Sequence, residues 1–209
     1  IQCAFGPCGA NPALYANPGY SLNDFAPVIL TGAVRNVMTV RKDLPARNIQ
    51  EFIALARTTP LSFASSGVGA SNHLGPELLR SITGIEMTHV PYRGTSDTLR
   101  ALLGGEIDFA SEASGWAPMV EAGQLRLLAI YTSTRAKRFP QIATLKEQGL
   151  DIVVDSPGGL IGPRGMDAGV VRGWKQRRER SVGLARRLPQ PRNLIGLVAQ
   201  RIDDLAERL

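Results

Sequence analysis

Residues 61–73 read LSFASSGVGASNH, a short apolar segment followed by a loop of small residues. Leu61 to Ala64 has the apolar character of a buried strand, and the loop is expected to lead into a helix that ends at Gly84. Glycines let a loop backbone approach a ligand closely, and serine hydroxyls can donate hydrogen bonds to it. The stretch therefore predicts a strand–loop–helix unit with polar groups at the carboxyl end of the strand.

The same order of strand, loop and helix recurs on both sides of this stretch. Strands are predicted at Phe25–Thr31, Asn36–Val40, Leu61–Ala64, Met87–Pro91, Ile107–Ala110 and Leu125–Tyr131, and further helices at Leu44–Pro60, Asp97–Leu103 and Trp116–Ala122. Repeated units of this kind favour an α/β fold with a largely parallel sheet and helices on both faces. Ligands bind such sheets at the carboxyl ends of strands, so the loops there are the candidates for function.

The net charge of +6 is confined to the end of the chain. Residues 1–171 carry 14 Lys and Arg against 14 Asp and Glu, whereas residues 172–209 carry 10 against 4. A neutral body has no basic stripe that could follow a phosphate backbone, which argues against a nucleic-acid partner. The apolar runs are only a few residues long, far short of the ~20 residues that span a bilayer.

The loop after Ala64 predicts an anion site. Its candidate ligand-binding residues are Ser65, Ser66, Gly67, Gly69, Ala70, Ser71 and His73. The helix that follows directs its free N–H groups and its positive dipole end toward the loop. The loop lacks the lysine of a phosphate-binding P-loop and a G-x-G-x-x-G pattern, which favours a carboxylate. The alternative is an ordinary turn with Ser71 as the helix N-cap. Pro76 is best tolerated at the first helical position, which would start the helix later.

A second loop follows the next predicted strand. Gly94 frees its backbone, and Thr95 or Ser96 is expected to cap the next helix. Arg93 could pair with a carboxylate, although an exposed surface arginine is the simpler interpretation. Glu112 follows another predicted strand, where it is either a ligand-binding group that accepts from an ammonium or hydroxyl, or an exposed loop carboxylate.

Neither catalysis nor metal binding is expected. Ser66, His73 and Asp97 supply the residue types of a catalytic triad, but no G-x-S-x-G elbow is present, so we expect no enzyme. The only cysteines, Cys3 and Cys8, are either two buried thiols or a local disulfide of an oxidising compartment. With only two histidines besides, the chain is not expected to hold zinc or another metal, and no cofactor is implied.

Five short stretches stand in an order and spacing that is specific as a set. They read NPALY at 11–15, DFAPV at 24–28, FASSGVG at 63–69, HVPYRG at 89–94 and LLGGEID at 102–108. Over residues 10–171 the chain thereby resembles the substrate-binding proteins of tripartite tricarboxylate transporters, also called Bug receptors. The resemblance implies a type II-like periplasmic binding fold, in which two lobes with parallel-rich sheets close around an organic acid or amino acid.

The resemblance also implies a function. The chain is expected to be a periplasmic, monomeric receptor that captures a small carboxylate and delivers it to a membrane permease. The ligand carboxylate would lie against residues 66–71, helped by Gly94 and Thr95, and Glu112 would read a ligand amine. The expected domains are residues 1–34 as part of the first lobe, 35–154 as the second lobe, 155–171 as the return to the first, and 172–209 as a divergent basic tail.

Two departures lead us to expect a fragment with weak or no ligand binding. Relatives begin with an earlier strand and a glycine-rich loop that forms one wall of the cleft, so the first lobe would be incomplete. After Val171 the resemblance stops, and a disrupted reading frame would explain the arginine-rich tail. The alternative function is the effector-binding domain of a transcription regulator, whose two-lobed fold is similar.

Overall fold

The computed structural model describes residues 1–181 with the exception of Phe5 and Ala113. Within these residues the chain forms two compact units, one made of residues 1–33 and 157–181 and the other of residues 34–156. The predicted basic tail lies outside the described residues from position 182 onward. None of the described helices is long and apolar enough to cross a membrane.

The described strands form two sheets. In chain order they are β1 (Gln2–Cys3), β2 (Phe25–Arg35), β3 (Val37–Arg41), β4 (Leu61–Ser65), β5 (Met87–Pro91), β6 (Phe109–Glu112), β7 (Leu125–Ile130) and β8 (Asp155–Pro163). Strands β1, β8 and β2 form a three-stranded sheet in that order. The unit 34–156 contains a five-stranded sheet with the order β5-β4-β6-β3-β7. This alternation of strands with helices agrees with the predicted α/β class.

The five-stranded sheet is mixed rather than largely parallel. Strand β4 is parallel to β5 and to β6, whereas β3 is antiparallel to both β6 and β7. Ser65 lies beside Pro91 at the end of β4 and β5, and Ala64 lies beside Ala110 of β6. Because these three strands run the same way, the loops that follow them open at one edge of the sheet.

The helices begin and end where capping residues dictate. They are α1 (Asn11–Leu14), α2 (Ile49–Ala56), α3 (Ser71–Thr83), α4 (Thr95–Gly104), α5 (Ala117–Glu121) and α6 (Ala168–Ser181), with a π-helical turn at Gly6–Ala10 and a 3-10 turn at Leu22–Asp24. Helix α2 is shorter than the predicted Leu44–Pro60, because the Asn48 side chain caps it by accepting the Glu51 N–H at 2.9 Å. Left-handed glycines, Gly84 and Gly105, end α3 and α4.

Aromatic side chains form much of the core of the unit 34–156. The Phe109 ring packs edge-on against Phe52 of α2 at 4.9 Å and stacks with Phe63 of β4 at 5.4 Å. Trp116 is buried and lies 5.2 Å from the Phe139 ring. Aromatic burial of this kind stabilises both the sheet and the helices packed on it, which holds the carboxyl edge of the parallel strands in place.

The unit that contains the N-terminus has a disulfide. Cys3 of β1 and Cys8 are both buried, their Cα atoms lie 6.0 Å apart, and their sulfurs are bonded. Strand β1 pairs with β8 in the antiparallel sense, so that Cys3 lies opposite Gly159. Of the two alternatives left open by the sequence, the structure contains the disulfide and not the pair of thiols.

Candidate functional site

Three loops meet at the carboxyl edge of the parallel strands in the unit 34–156. The first connects β4 to α3, the second connects β5 to α4, and the third follows β6. The Tyr92 N–H donates to the Ser65 carbonyl at 2.9 Å, which ties the second loop to the first. A Cβ atom on Gly115 would lie 3.9 Å from Thr95 Cγ2, so the third loop adjoins the start of α4. The candidate residues of all three loops therefore lie at one edge.

The first loop is held in shape by its own hydrogen bonds. The fully buried Ser65 places its Oγ 3.1 Å from both the N–H and the carbonyl of Gly67, and 2.7 Å from His89 Nε2. Asn72 Oδ1 accepts from the Ser66 N–H at 3.3 Å and from the Ser66 hydroxyl at 3.0 Å. Gly67 and Gly69 have φ angles of 125° and 79°, a region that L residues rarely adopt, which explains the glycines.

These contacts reduce the number of loop N–H groups that are available to bind an anion. The N–H groups of Ser66 and Gly67 are bonded as above, and those of Gly69 and Ala70 donate to His73 Nδ1 and to the Gly67 carbonyl. In the described part of the chain, the N–H groups of Ser71 and Asn72 at the start of α3 have no acceptor. The donors that remain for an anion are therefore those of the first helical turn, and the loop glycines serve to shape the chain.

Helix α3 does not begin as the sequence suggested. Ala70 is its N-cap and makes no side-chain cap bond, so the alternative of Ser71 as the N-cap is wrong. Ser71 is the first helical residue, and its hydroxyl donates to Asn36 Oδ1 at 3.5 Å. Pro76 lies inside the helix rather than at its first position. The first turn is thus anchored to the buried Asn36 next to β3, which fixes the direction in which its N–H groups point.

The second loop ends at a helix with a glycine N-cap. Gly94 occupies this position with no side-chain cap bond, so the expected capping by Thr95 or Ser96 is wrong. Thr95 is the first residue of α4, and its carbonyl oxygen lies 2.8 Å from the Thr98 hydroxyl oxygen. Arg93 is exposed. The loop therefore presents a second helix N-terminus at the same edge of the sheet, without a buried cation beside it.

Glu112 is fully buried, so the alternative of an exposed loop carboxylate is wrong. It ends β6 opposite Val37 of β3, and the buried Thr98 of α4 donates its hydroxyl to Glu112 Oε1. This contact joins the end of β6 to the first turn of α4. Glu112 therefore lies beneath the edge at which the second helix begins, and it supports that helix through Thr98.

Four residues of this arrangement were not predicted as site residues. They are Asn36, Asn72, His89 and Thr98. Two of their partners lie 24 and 35 positions away along the chain, so no local pattern connects them. A usable signal was the position of Asn72 next to Ser71, because a short polar side chain at a helix start commonly bonds a nearby backbone N–H.

Two histidines lie behind the first loop. Their ring centroids are 4.2 Å apart. Burial lowers the pKa of His73, the nearby Glu77 opposes this change, and Arg80 adds to it. Burial also lowers the pKa of His89, and the neighbouring His73 lowers it further. Both rings are therefore neutral at neutral pH. Across the described residues, no group of three or more His, Cys, Asp or Glu side chains is arranged to hold a metal ion.

Solved structures share this fold, and two of them contain a bound carboxylate. The R. palustris protein Rpa4515 with adipate is 27% identical, with a TM-score of 0.90 over 100% of this chain and 76% of its own. MatC from Rhodopseudomonas palustris with bound malate is 25% identical, with a TM-score of 0.85 over 100% of this chain and 78% of its own. The periplasmic binding protein BugD is 26% identical, with a TM-score of 0.82 over 99% of this chain and 75% of its own.

The fold is that of the type II periplasmic binding proteins, an α/β class, as the sequence predicted. The model of the tripartite tricarboxylate transporter family receptors matches residues 1–187, and the chain belongs to this family. The match extends past Val171, where the sequence resemblance was expected to stop. The family comprises periplasmic receptors and is not a family of enzymes. The alternative of a transcription regulator has no support here.

A curated relative shows how much of a family member the chain represents. A protein from the gbd 5′ region of Cupriavidus necator is 41% identical over 136 residues, which are 64% of this chain and 42% of the relative. The chain thus spans less than half the length of that relative. The activity of a whole receptor therefore enters below as a proposal for this chain.

Proposed function

We propose that the chain is an extracytoplasmic receptor domain that captures a small carboxylate at the carboxyl edge of the sheet in residues 34–156. The observation that carries the proposal is that two helices, α3 and α4, begin at that edge. Family membership supports it, as do the adipate and the malate in two of the related structures.

The proposed site binds a carboxylate through backbone donors. At the start of α3 these are the N–H groups of Ser71 and Asn72, and at the start of α4 those of Thr95 and Ser96. In the described chain none of the four donates to a protein acceptor. Helix N-termini carry partial positive charge, and each stabilises a nearby anion by about 0.3–1 kcal/mol when exposed and more when partly buried. A carboxylate that bridges the two starts would gain from both dipoles.

The other candidate residues have supporting roles in this proposal. Ser65, Gly67, Gly69 and Ala70 set the path of the loop, and Ser66 fixes it to Asn72. Three more residues have supporting roles. His73 accepts a hydrogen bond from the Gly69 N–H, and Gly94 is the N-cap of α4. Glu112 accepts a hydrogen bond from the Thr98 hydroxyl. Because Glu112 is buried beneath α4, we assign it to the orientation of the helix and, through that, to the choice of ligand.

The compartment and partners follow from the same proposal. A disulfide between Cys3 and Cys8 is typical of proteins that fold in an oxidising compartment such as the periplasm. We propose that the receptor acts there as a monomer and passes its ligand to a membrane permease of a tripartite transporter. No nucleic acid or cofactor is part of this mechanism.

A proline substitution at the first residue of α3 tests whether its backbone N–H binds the carboxylate. Proline is well tolerated at the first helical position, and Ala70 before it is extended with ψ 153°, which suits a residue that precedes proline. Ser71→Pro removes one N–H donor and the hydroxyl, whereas Ser71→Ala removes the hydroxyl alone. We expect Ser71→Pro to bind adipate or malate at least about tenfold more weakly than Ser71→Ala, the value of one hydrogen bond to a charged group.

Calorimetric titration of the purified chain with adipate, malate and a panel of amino acids provides the affinities. Thermal unfolding of both variants checks that the fold is intact. Equal affinities of Ser71→Pro and Ser71→Ala would show that the N–H of residue 71 does not bind the carboxylate. Absence of binding by the wild-type chain to every acid in the panel would contradict the proposed function for this chain and would agree with the sequence-based expectation of an inactive fragment.

A further inference from the structure

The two histidines behind the first loop form a pair that contacts the loop at two points. His73 belongs to α3 and His89 to β5, and the Phe63 ring of β4 stacks with His89 at 4.8 Å. His73 Nδ1 accepts the Gly69 N–H at 3.4 Å. His89 Nε2 lies 2.7 Å from Ser65 Oγ. The loop that leads to α3 is therefore attached to one histidine near its beginning and to the other near its end.

The hydrogen-bond pattern favours one arrangement of the protons. Ser65 Oγ carries a single proton and has three partners, namely the Gly67 carbonyl, the Gly67 N–H and His89 Nε2. All three are satisfied when the hydroxyl donates to the carbonyl and accepts from the other two, which places a proton on His89 Nε2. His73 accepts at Nδ1, so its neutral ring carries its proton on Nε2, 3.8 Å from Glu77 Oε1.

We infer that His73 and His89 are positioning residues that hold the loop 65–70 in its ligand-binding shape only while His73 is neutral, so that carboxylate affinity falls in mild acid. This inference rests on the proposed function, because it assigns a means of control to the proposed site. The residues act through the loop, and neither needs to contact the ligand.

Protonation acts differently on the two rings. An imidazolium at His89 still donates from Nε2 to Ser65, so that contact survives. An imidazolium at His73 carries a proton on Nδ1 as well, which faces the Gly69 N–H and abolishes the hydrogen bond. Two charged rings with centroids 4.2 Å apart would also repel each other. The structural change therefore begins with the loss of the contact between His73 and Gly69.

The charged groups around the pair set the pH range. They are Glu77, which favours a charged His73, and Arg80, which disfavours it, together with the opposite histidine of each ring. Because the pKa of each ring is lowered, the folded loop resists protonation that an unfolded chain accepts near its ordinary value of 6.5. The stabilisation from the neutral pair is complete above that value and is lost as the pH falls below it.

Substitutions can separate the hydrogen bond from the charge. In His73→Asn the introduced amide oxygen would stand where His73 Nδ1 stands, so this variant keeps an acceptor that does not titrate, whereas His73→Leu has no acceptor. At neutral pH we expect H73L to bind adipate and malate about tenfold more weakly than the wild-type chain. Its affinity should not fall further in acid, where the wild-type chain has lost the same contact. We expect H73N to restore most of the affinity and to abolish its fall in acid. Glu77→Gln provides a second test. Removing that carboxylate should move the fall in affinity to lower pH, because Glu77 raises the pKa of His73.

Nuclear magnetic resonance provides a readout that needs no ligand. In the wild-type chain the amide signal of Gly69 is expected to shift with the same midpoint as the ring signals of His73, and the shift should disappear in H73N. A Gly69 signal that ignores the titration of His73 would overturn the inference, as would an H73N variant whose affinity still falls in acid. If the coupling is present but neither acid binds at any pH, the proposed function fails and the loop control stands.

Discussion

Gly75 of α3 lies directly against a buried tyrosine, and adding one methyl group there tests how tightly that helix is packed. A Cβ atom at position 75 would stand 3.0 Å from Cε1, 3.2 Å from Cδ1 and 3.4 Å from Cζ of Tyr131. Carbon atoms prefer separations of about 3.5–4.0 Å, so the ring or the helix must retreat by roughly half an ångström. Tyr131 is fully buried, and its backbone is bonded to Asn36 at 3.0 Å and to Val154 at 2.8 Å.

These constraints give the magnitude for Gly75→Ala. Overpacking of a constrained core costs about 1–3 kcal/mol, and replacing a helical glycine by alanine returns about 1 kcal/mol. The expected net effect is a loss of about 0–2 kcal/mol of unfolding free energy. Gly104 of α4 is the matched control, because its added Cβ would meet only the Glu106 side chain at 3.8 Å. Gly104→Ala should therefore gain the same ~1 kcal/mol of helix propensity without the cost of overpacking.

Urea unfolding followed by tryptophan fluorescence measures the difference. The chain has two tryptophans, of which Trp116 is buried in the unit 34–156 and Trp174 is exposed on α6. In a Trp174→Phe background the signal reports on Trp116 and hence on the unit that contains both glycines. We expect G75A to be less stable than G104A by about 1–3 kcal/mol. A G75A variant as stable as G104A would refute the close packing of α3 on Tyr131.

Three further substitutions have expected outcomes in unfolding experiments. Thr98→Val removes the hydroxyl that donates to the buried Glu112 and should cost about 1–3 kcal/mol in the same fluorescence assay. Joint replacement of Cys3 and Cys8 by serine opens a disulfide with a sequence separation of 5 and should cost about 2 kcal/mol, seen as a lower midpoint in calorimetry. Arg126→Met leaves three backbone carbonyls without their guanidinium donor and should lower the urea midpoint. An unchanged midpoint in any of these would contradict the assigned contact.

The sequence indicated the order of the strands and helices, because apolar periodicity and helix-ending glycines are local features of the sequence. Strand β5 has the predicted bounds, Met87–Pro91, and α3 ends at Gly84, since a left-handed glycine is visible in the sequence itself. The direction of β3 was not accessible in this way. Its antiparallel pairing with β6 and β7 depends on the path of the chain between the strands. The residue composition of a strand does not reveal that path.

The candidate residues lie at one edge of the sheet, as the sequence indicated, but several of the loop N–H groups that were expected to bind the ligand are bonded within the protein. Small residues between Ser65 and Ser71 correctly marked a backbone that bends sharply at the end of a strand. The sequence could not show that His73, His89 and Asn72 consume hydrogen-bonding groups of that loop, because His89 comes from another strand. Burial of Glu112 was missed for the same reason, since its partner Thr98 belongs to the preceding helix.

The absence of basic residues from the first loop and the helix start that follows has a consequence for binding. Residues 65–75 contain neither lysine nor arginine. A carboxylate held there would be stabilised by helix dipoles and N–H groups instead of by a buried ion pair. The side chains around it can then vary without leaving an unpaired buried charge, which would otherwise be costly. In a receptor of this design, substitutions of the surrounding side chains could change the preferred acid, for example from a four-carbon to a six-carbon diacid. The loop and both helix starts would stay the same.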